Sequence, residues 1–529
     1  MMSDKGGKIT IVNGLRRHIL SDISAGFLVF LLALPLSLGI AKASGFPASM
    51  GVLTAIIGGV LTLFFRVSEL AIKGPAAGLI TISAAAVTEF GGEQFGWQTV
   101  CAIIVTMAIL QISLGFLKLG SLTDFFPHTA VHGMLAAIGI IIIAKQIPVL
   151  LGVNPELYAG LGPVELLASI PVFAANLSPH IAFVGMVSLG IMFLVSGIKI
   201  GFLKKIPAPM VVLLLAIPLA VLWNFEQTEA KYALVFIGDF WGSLDVNVDF
   251  AAFFSFPFWK YVIMFLFVSS LESLLTVKAI DNLDPEKRRS NFNGDLIGQG
   301  VGNVFSGLFG GLPMISEVVR SSANIGFGAK TKWSNFFHGM FLLISMLFII
   351  PIIELIPNSA LAAMLVYAGF RLASPKEFFH TYQVGKEQII IFLTTIVITL
   401  LEDLLLGVLA GIVIKFMFHF AAGVKFSNLF KAKYQRSNSK EGVVFKVKEA
   451  AIFSNLIGFK KQLNALPNDK KVAIDFSETT FIDHSFMTFI TQFQAKRSES
   501  SYACELVQLN HLEPRSNHPL ATRKLRKRD

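Results

Sequence analysis

Up to about residue 422 the chain is a succession of apolar runs separated by short polar or Gly- and Pro-containing breaks. Twelve of these runs approach the roughly 20 residues a helix needs to cross a bilayer: 18–41, 49–65, 97–117, 130–150, 180–198, 207–223, 257–277, 292–311, 334–353, 357–372, 386–401 and 404–422. Two more, 74–88 and 313–327, are shorter and start at Lys73-Gly74-Pro75 and Gly311-Leu312-Pro313. Counting them gives fourteen spans, with the short ones third and tenth, seven apart. Residues 162–177, of mixed polarity, read as an interfacial helix. Matched, Gly/Pro-interrupted short spans point to an inverted-repeat transporter with its site near the bilayer midplane. A helix that begins inside the membrane leaves unpaired N–H groups and a positive dipole end, and two such ends make an anion site. The alternative is a pair of short core helices with Pro in the first turn.

Beyond residue 423 the pattern changes. Residues 443–447, 471–476 and 504–509 read as strands, and 455–465 and 484–495 as helices. The predicted fold is an all-α polytopic membrane body of fourteen spans in two inverted seven-span repeats, about 18–223 and 257–422, followed by a linker, 423–440, and a small cytoplasmic α/β domain, 441–529, with a basic tail.

Composition agrees with that division. Hydrophobic residues make up 54% of the 529 and charged residues 15%, against roughly a quarter charged in an ordinary soluble domain. The two cysteines, Cys101 and Cys504, exclude a disulfide scaffold and a four-cysteine zinc module. Nine of the ten net positive charges lie after residue 422. When the fourteen spans are threaded alternately, 17 of the body's 25 Lys and Arg fall on one side, including Lys5, Lys8, Arg17, Arg66, Lys118, Lys199, Lys204, Lys205, Arg288, Lys332 and Arg371; Lys42, Lys145, Lys231 and Lys260 fall on the other. That bias predicts cytoplasmic termini. The N-terminus lacks the short apolar core and cleavage site of a secretory signal, so the first span is expected to be retained.

Charges inside spans are costly and mark function by default. Lys73, Glu272, Glu317 and Arg320 stand out. Glu272 and Thr276, four residues apart, share a helical face, and a carboxylate beside a hydroxyl can hold a hard cation or a proton. A structural carboxylate paired with a neighbouring helix is the plainer alternative. His128 and His132 have the spacing of a metal site but only two visible ligands, and read as interfacial. Small residues at Gly298, Gly300, Gly302, Ser306 and Gly310 suit close helix packing rather than nucleotide binding. No GxSxG, HExxH or P-loop pattern appears, so no enzyme and no cofactor is expected.

Leu34-Pro35, Gly74-Pro75-Ala76, Glu272-Ser273-Leu274-Leu275-Thr276, Gly310-Gly311-Leu312-Pro313 through Arg320-Ser321, and Asp403-Leu404-Leu405-Leu406-Gly407-Val408 occur in that order. Together they resemble the sulfate permease (SulP) family of anion transporters over essentially the whole chain. The resemblance implies a core domain moving against a gate domain, a homodimer, the family's usual assembly, and an anion site between the starts of the third and tenth spans. On this sequence that site comprises Lys73, Ala76, Ala77, Ser316, Glu317, Val318 and Arg320, with Glu272 and Thr276 beside it for a coupling ion, sodium or a proton. Two residues depart from the family pattern: Glu317 stands where small or hydroxyl residues are usual, and Lys73 where small polar ones are. Facing each other at the two helix starts, they are expected to form a salt bridge, since a lone carboxylate would repel an anion.

The string from Val472 to Ser477 leading to Phe481-Ile482-Asp483-His484-Ser485 resembles the STAS domain that follows the membrane part in this family. His484 replaces the phosphorylatable residue of related domains, and Asp483 reads as a helix N-cap. Arg523-Lys524-Leu525-Arg526-Lys527-Arg528 reads as a solvated tail or an anionic-lipid contact; no nucleic-acid surface accompanies it. The expected protein is a multi-pass inner-membrane secondary transporter of a small inorganic anion, bicarbonate or sulfate, with a possible STAS-mediated protein partner. The alternative is a non-transporting anion sensor signalling through the STAS domain, with a nucleobase permease as a lesser one.

Overall fold

A computed structural model describes residues 11–120, 127–197, 207–228, 231–237, 240–242, 244–246, 248–402, 404–438, 442–466, 471–498 and 504–525. Lys5, Lys8, Lys199, Lys204, Lys205, Asp403 and residues 526–528 of the basic tail lie outside them. Each of the fourteen apolar segments contains a helix: α1 (Ile11–Ala43), α2 (Ala48–Leu61), α3 (Ile80–Glu89), α4 (Gly92–Phe116), α5 (His128–Leu150), α6 (Pro179–Gly197), α7 (Ala208–Leu222), α8 (Phe256–Leu283), α9 (Phe292–Leu308), α10 (Val318–Gly326), α11 (Trp333–Phe348), α12 (Asn358–Leu372), α13 (Lys386–Leu401) and α14 (Leu404–Ala421). Five of them are long and apolar enough to cross a membrane by length and composition. The expected interfacial segment is two short helices, Pro163–Ala168 and Ile170–Ala175.

The chain divides into two compact units, Met1–Gly120 with Ile138–Leu372, and Ser121–Ala137 with Ala373–Asp529. In the first, α4 and α9 pack closely, and the glycines explain why. A Cβ at Gly300 would stand 3.0 Å from the Ala108 carbonyl oxygen, and one at Gly307 2.9 Å from that of Cys101. The small residues therefore let two backbones touch, as expected.

The body is not wholly helical. Lys73–Pro75 (β1) and Met314–Ser316 (β2), directly ahead of α3 and α10, are extended and pair antiparallel, Lys73 opposite Ser316, Gly74 opposite Ile315 and Pro75 opposite Met314. The reason is hydrogen-bond accounting: extended backbone in an apolar interior leaves its N–H and C=O groups unsatisfied unless another segment supplies partners. Each strand meets the other's need.

In the second unit, Tyr434–Asn438 (β3), Gly442–Ala451 (β4), Lys471–Ile482 (β5), Cys504–Val507 (β6), Leu512–Pro514 (β7) and Arg523–Leu525 (β8) form a six-stranded sheet. Its order is β3-β4-β5-β8-β7, with β6 on β5; β4 and β6 run parallel to β5. Two helices, α15 (Leu456–Asn464) and α16 (His484–Ser498), contribute to its core around Phe445, Phe459, Ile474, Phe476, Phe486 and Ile490. Three expectations are corrected here. The stretch expected as linker holds the edge strand β3, whose residues pair with Val443–Val447. Arg523, Lys524 and Leu525 are a strand, with Arg523 opposite Ile482 and Lys524 opposite Phe481, rather than the start of a solvated tail. The packing boundary at Leu372 precedes the charge step at Gly423, because α14 joins the sheet through a cluster of Phe416, Ala422, Val424, Leu429, Ala450, Ile452 and Phe481. Cys101 and Cys504 are both buried and free.

Candidate anion site

The paired strands fix where the two short helices start. The Glu317 N–H extends the ladder by donating to the Ile72 carbonyl (3.0 Å), and the Ile72 N–H donates to Ser321 Oγ (2.8 Å). From α8, Ser273 Oγ accepts the Ser316 N–H (3.0 Å), which brings the Glu272 turn against the same junction. The carboxylate of Glu272 lies over Gly78, where a side chain would overlap both its oxygens. Thr276 follows one turn later and is buried.

Lys73 and Glu317 do not pair, contrary to expectation. The Lys73 ammonium, fully buried, donates to Asp295 Oδ2 (2.7 Å) and to Ser316 Oγ (2.6 Å). Asp295, in the first turn of α9, also accepts the Ser68 N–H (3.2 Å). The physical reason lies in the strand pleat: Lys73 and Ser316 are directly opposite, so the lysine lies along its β2 partner towards α9, while Glu317 has already turned into the next element. Glu317 is the N-cap of α10, its Oε2 accepting the Arg320 N–H at 2.6 Å. The start of the third span, at Ala76 to Leu79, has no side-chain cap.

Arg320 is fully buried, and among the described residues none of its three guanidinium nitrogens has a hydrogen-bond partner. It faces β1: a Cβ on Gly74 would sit 2.7 Å from Nη1. A Cβ at 74 would therefore press on the end of the Arg320 side chain. Ala77, Glu317 and Arg320 line a cavity of about 770 Å³ bounded also by α1 and α12, with Arg371 on its wall. Of the expected site residues, the structure brings these three to the cavity, with Glu272 electrostatically next to Glu317. Lys73, Ala76 and Ser316 are buried and are not among its lining residues. Val318 is exposed and Val319 takes the lining position.

Asp295 was not singled out in the sequence; its only signal was a carboxylate at the head of an apolar run. His338 on α11, buried beside the Asn335 backbone, lies in the field of Arg320 and was likewise not singled out. Nor was Lys415 on α14, which pairs with Asp483 (3.1 Å). His132 Nδ1 pairs with Glu377 (3.2 Å), and the imidazole holds that carboxyl below its ordinary range. Among the described residues no group of three His, Cys, Asp or Glu is placed to hold a metal.

A bundle of apolar helices with two broken spans meeting end to end, and a buried cation where they meet, defines a multi-pass membrane protein built around a polar site. Residues 19–395 match the model of the sulfate permease family, and the chain belongs to that family. Bicarbonate transporter BicA of Picosynechococcus sp. is 26% identical over 426 residues, covering 79% of this chain and 73% of the relative. A candidate sulfate transporter of Bacillus subtilis (strain 168), YvdB, is 27% identical over 407 residues, 75% and 73% of the two chains. In structure, the transmembrane domain of a cyanobacterial BicA superposes with a TM-score of 0.64 at 23% identity, over 75% of this chain and 98% of that one. SLC26A9 gives 0.67 at 16%, over 94% and 85%. The family and these relatives are transporters, not enzymes.

Proposed function

We propose that the protein is a secondary active transporter of a small inorganic anion, bicarbonate or sulfate, working by alternating access and coupled to sodium or protons. The observation that carries this reading is Arg320, a fully buried cation whose guanidinium has no hydrogen-bond partner among the described residues, at the junction of two helix starts and among the residues that line a cavity. A guanidinium is suited to an oxyanion by its planar fork of donors. Glu272, with Oε2 buried and unpartnered among the described residues, is the coupling-ion ligand, and Thr276 its neighbour. The antiparallel pairing of the two pre-helix strands supports fourteen spans arranged as two inverted repeats, since a two-fold axis in the membrane plane would generate such a pair. The charge bias supports cytoplasmic termini in a cell inner membrane. A homodimer and a STAS-type role for the second unit follow from the family resemblance.

The test is uptake of labelled bicarbonate, sulfate, chloride and fumarate into proteoliposomes with and without a sodium gradient. Uptake of bicarbonate or sulfate that responds to a sodium or proton gradient is expected. Anion binding without flux of any of the four would instead identify a sensor.

A further inference from the structure

The two half-helix starts are not equivalent. The third span opens onto the cavity at Ala77 without a side-chain cap, whereas α10, nine residues long, is closed by its own Glu317, whose carboxylate oxygen accepts the Arg320 N–H at 2.6 Å. A helix N-terminus is a ready seat for an anion, and here a tethered carboxylate occupies it. Arg320, three residues further on, makes no ion pair with that carboxylate: its guanidinium extends past Gly74 and lacks a hydrogen-bond partner among the described residues.

The surrounding charges decide what an incoming anion meets. From α8, Glu272 contributes a second carboxylate. From β1, Lys73 is neutralised by Asp295 of α9. From α11 His338 faces Arg320, and from α12 Arg371 lines the cavity wall. An anion placed at the α10 start would lie against Glu317 in a medium of low effective dielectric, where like charges a few ångströms apart repel strongly. Taking a proton removes that repulsion and weakens the carboxyl as an acceptor for the Arg320 N–H.

We propose that Glu317 is a tethered stand-in for the substrate anion, which leaves the start of α10 when it takes a proton, so that each anion binds together with one proton. This rests on the transporter reading above and sharpens it: the site takes a small anion and a proton together, with Arg320 as the fixed charge, the α10 N–H groups as the vacated donors and Glu272 left to a separate sodium ion.

The experiment uses the full-length protein in lipid nanodiscs with sulfate and chloride, whose charges do not change between pH 5.5 and 8. Affinity is measured by calorimetry across that range, and proton uptake on binding is read with a pH electrode in weak buffer. The wild type should lose affinity as pH rises, approaching tenfold per pH unit, and take up one proton per anion. Glu317→Gln keeps a cap acceptor and removes the charge, so its affinity should vary less than threefold and it should take up no proton. Glu317→Ser, with a hydroxyl cap, should behave the same way. A wild type that binds at constant affinity without proton uptake, or a Gln variant that keeps the wild-type slope, would overturn the proposal. Proton-linked binding without flux in proteoliposomes would sink only the transporter reading, whereas binding of neither anion would overturn the proposal and leave the transporter reading to the bicarbonate uptake assay.

Discussion

At the residue scale the energetics are dominated by buried charge. Lys73 and Asp295 are both fully buried. Removing one partner strands the other at a cost of about 3–5 kcal/mol, while removing both by apolar groups of similar volume costs far less. Lys73→Met and Asp295→Leu should each lower thermal stability markedly, and the double variant should recover most of the loss. Simple additivity of the two losses would reject the pairing. Glu272→Gln should abolish gradient-driven uptake while the protein stays folded, because shape is kept and charge removed; Thr276→Val should have a milder effect of the same kind. Unchanged sodium and pH dependence of uptake by Glu272→Gln would remove that residue from the coupling site. The charges Lys73, Glu272, Glu317 and Arg320 were legible because each interrupts an apolar run. Their partners were not: Lys73 and Asp295 are separated by 222 positions, and only the β1–β2 ladder and the start of α9 bring them together.

At the element scale, Gly and Pro announced the short third and tenth spans, and the helices at all fourteen apolar segments follow the runs. The strands ahead of the short helices carried no signal, because three residues are too few for a period of two to show. Strand β8 was hidden for a different reason. Its Arg and Lys read as solvated until the backbone pairs with Ile482 and Phe481. The glycine stripe on α9 was readable and makes a sharp prediction. Gly300→Val would drive a side chain onto Ile112 and the Ala108 carbonyl of α4. Overpacking of this kind costs about 1–3 kcal/mol, so the variant should unfold at lower temperature. Gly326, where a Cβ meets nothing within 4 Å, is the control: Gly326→Ala should match the wild type or exceed it. A Gly300→Val variant that unfolds at the wild-type temperature would reject the close packing of α4 on α9, since helix propensity alone favours replacing glycine.

At the scale of the whole molecule, the charge step at Gly423 marks a change of solvent, whereas the packing unit begins at Ala373. Lys415 shows why composition could not place that boundary: its ammonium crosses from α14 to Asp483 (3.1 Å) and Ser485 (3.0 Å). Burial opposes ionisation of Asp483, but Lys415, His419 and the N–H groups of Phe486 and Phe453 outweigh it and hold the carboxyl below its ordinary range. A depressed carboxylate contributes stability above the unfolded value, about pH 4, and loses it as pH falls through the folded one. Lys415→Met should therefore raise hydrogen exchange in β5 and α16 at neutral pH and make it less sensitive to acid below pH 4. Anion affinity should stay within twofold of wild type, because Ala77, Glu317 and Arg320 belong to the other unit. A larger loss would mean that the second unit helps to form the site.

The central claim is that Arg320, at the junction of the two half-helices, is the charge that holds the anion. Calorimetric titration of sulfate and bicarbonate into the full-length protein, wild type against Arg320→Gln, tests it most directly, with circular dichroism to establish that both are folded. A fall in affinity of at least a hundredfold, about 2.8 kcal/mol, is predicted for the variant. Binding by folded Arg320→Gln within threefold of wild type would contradict the account.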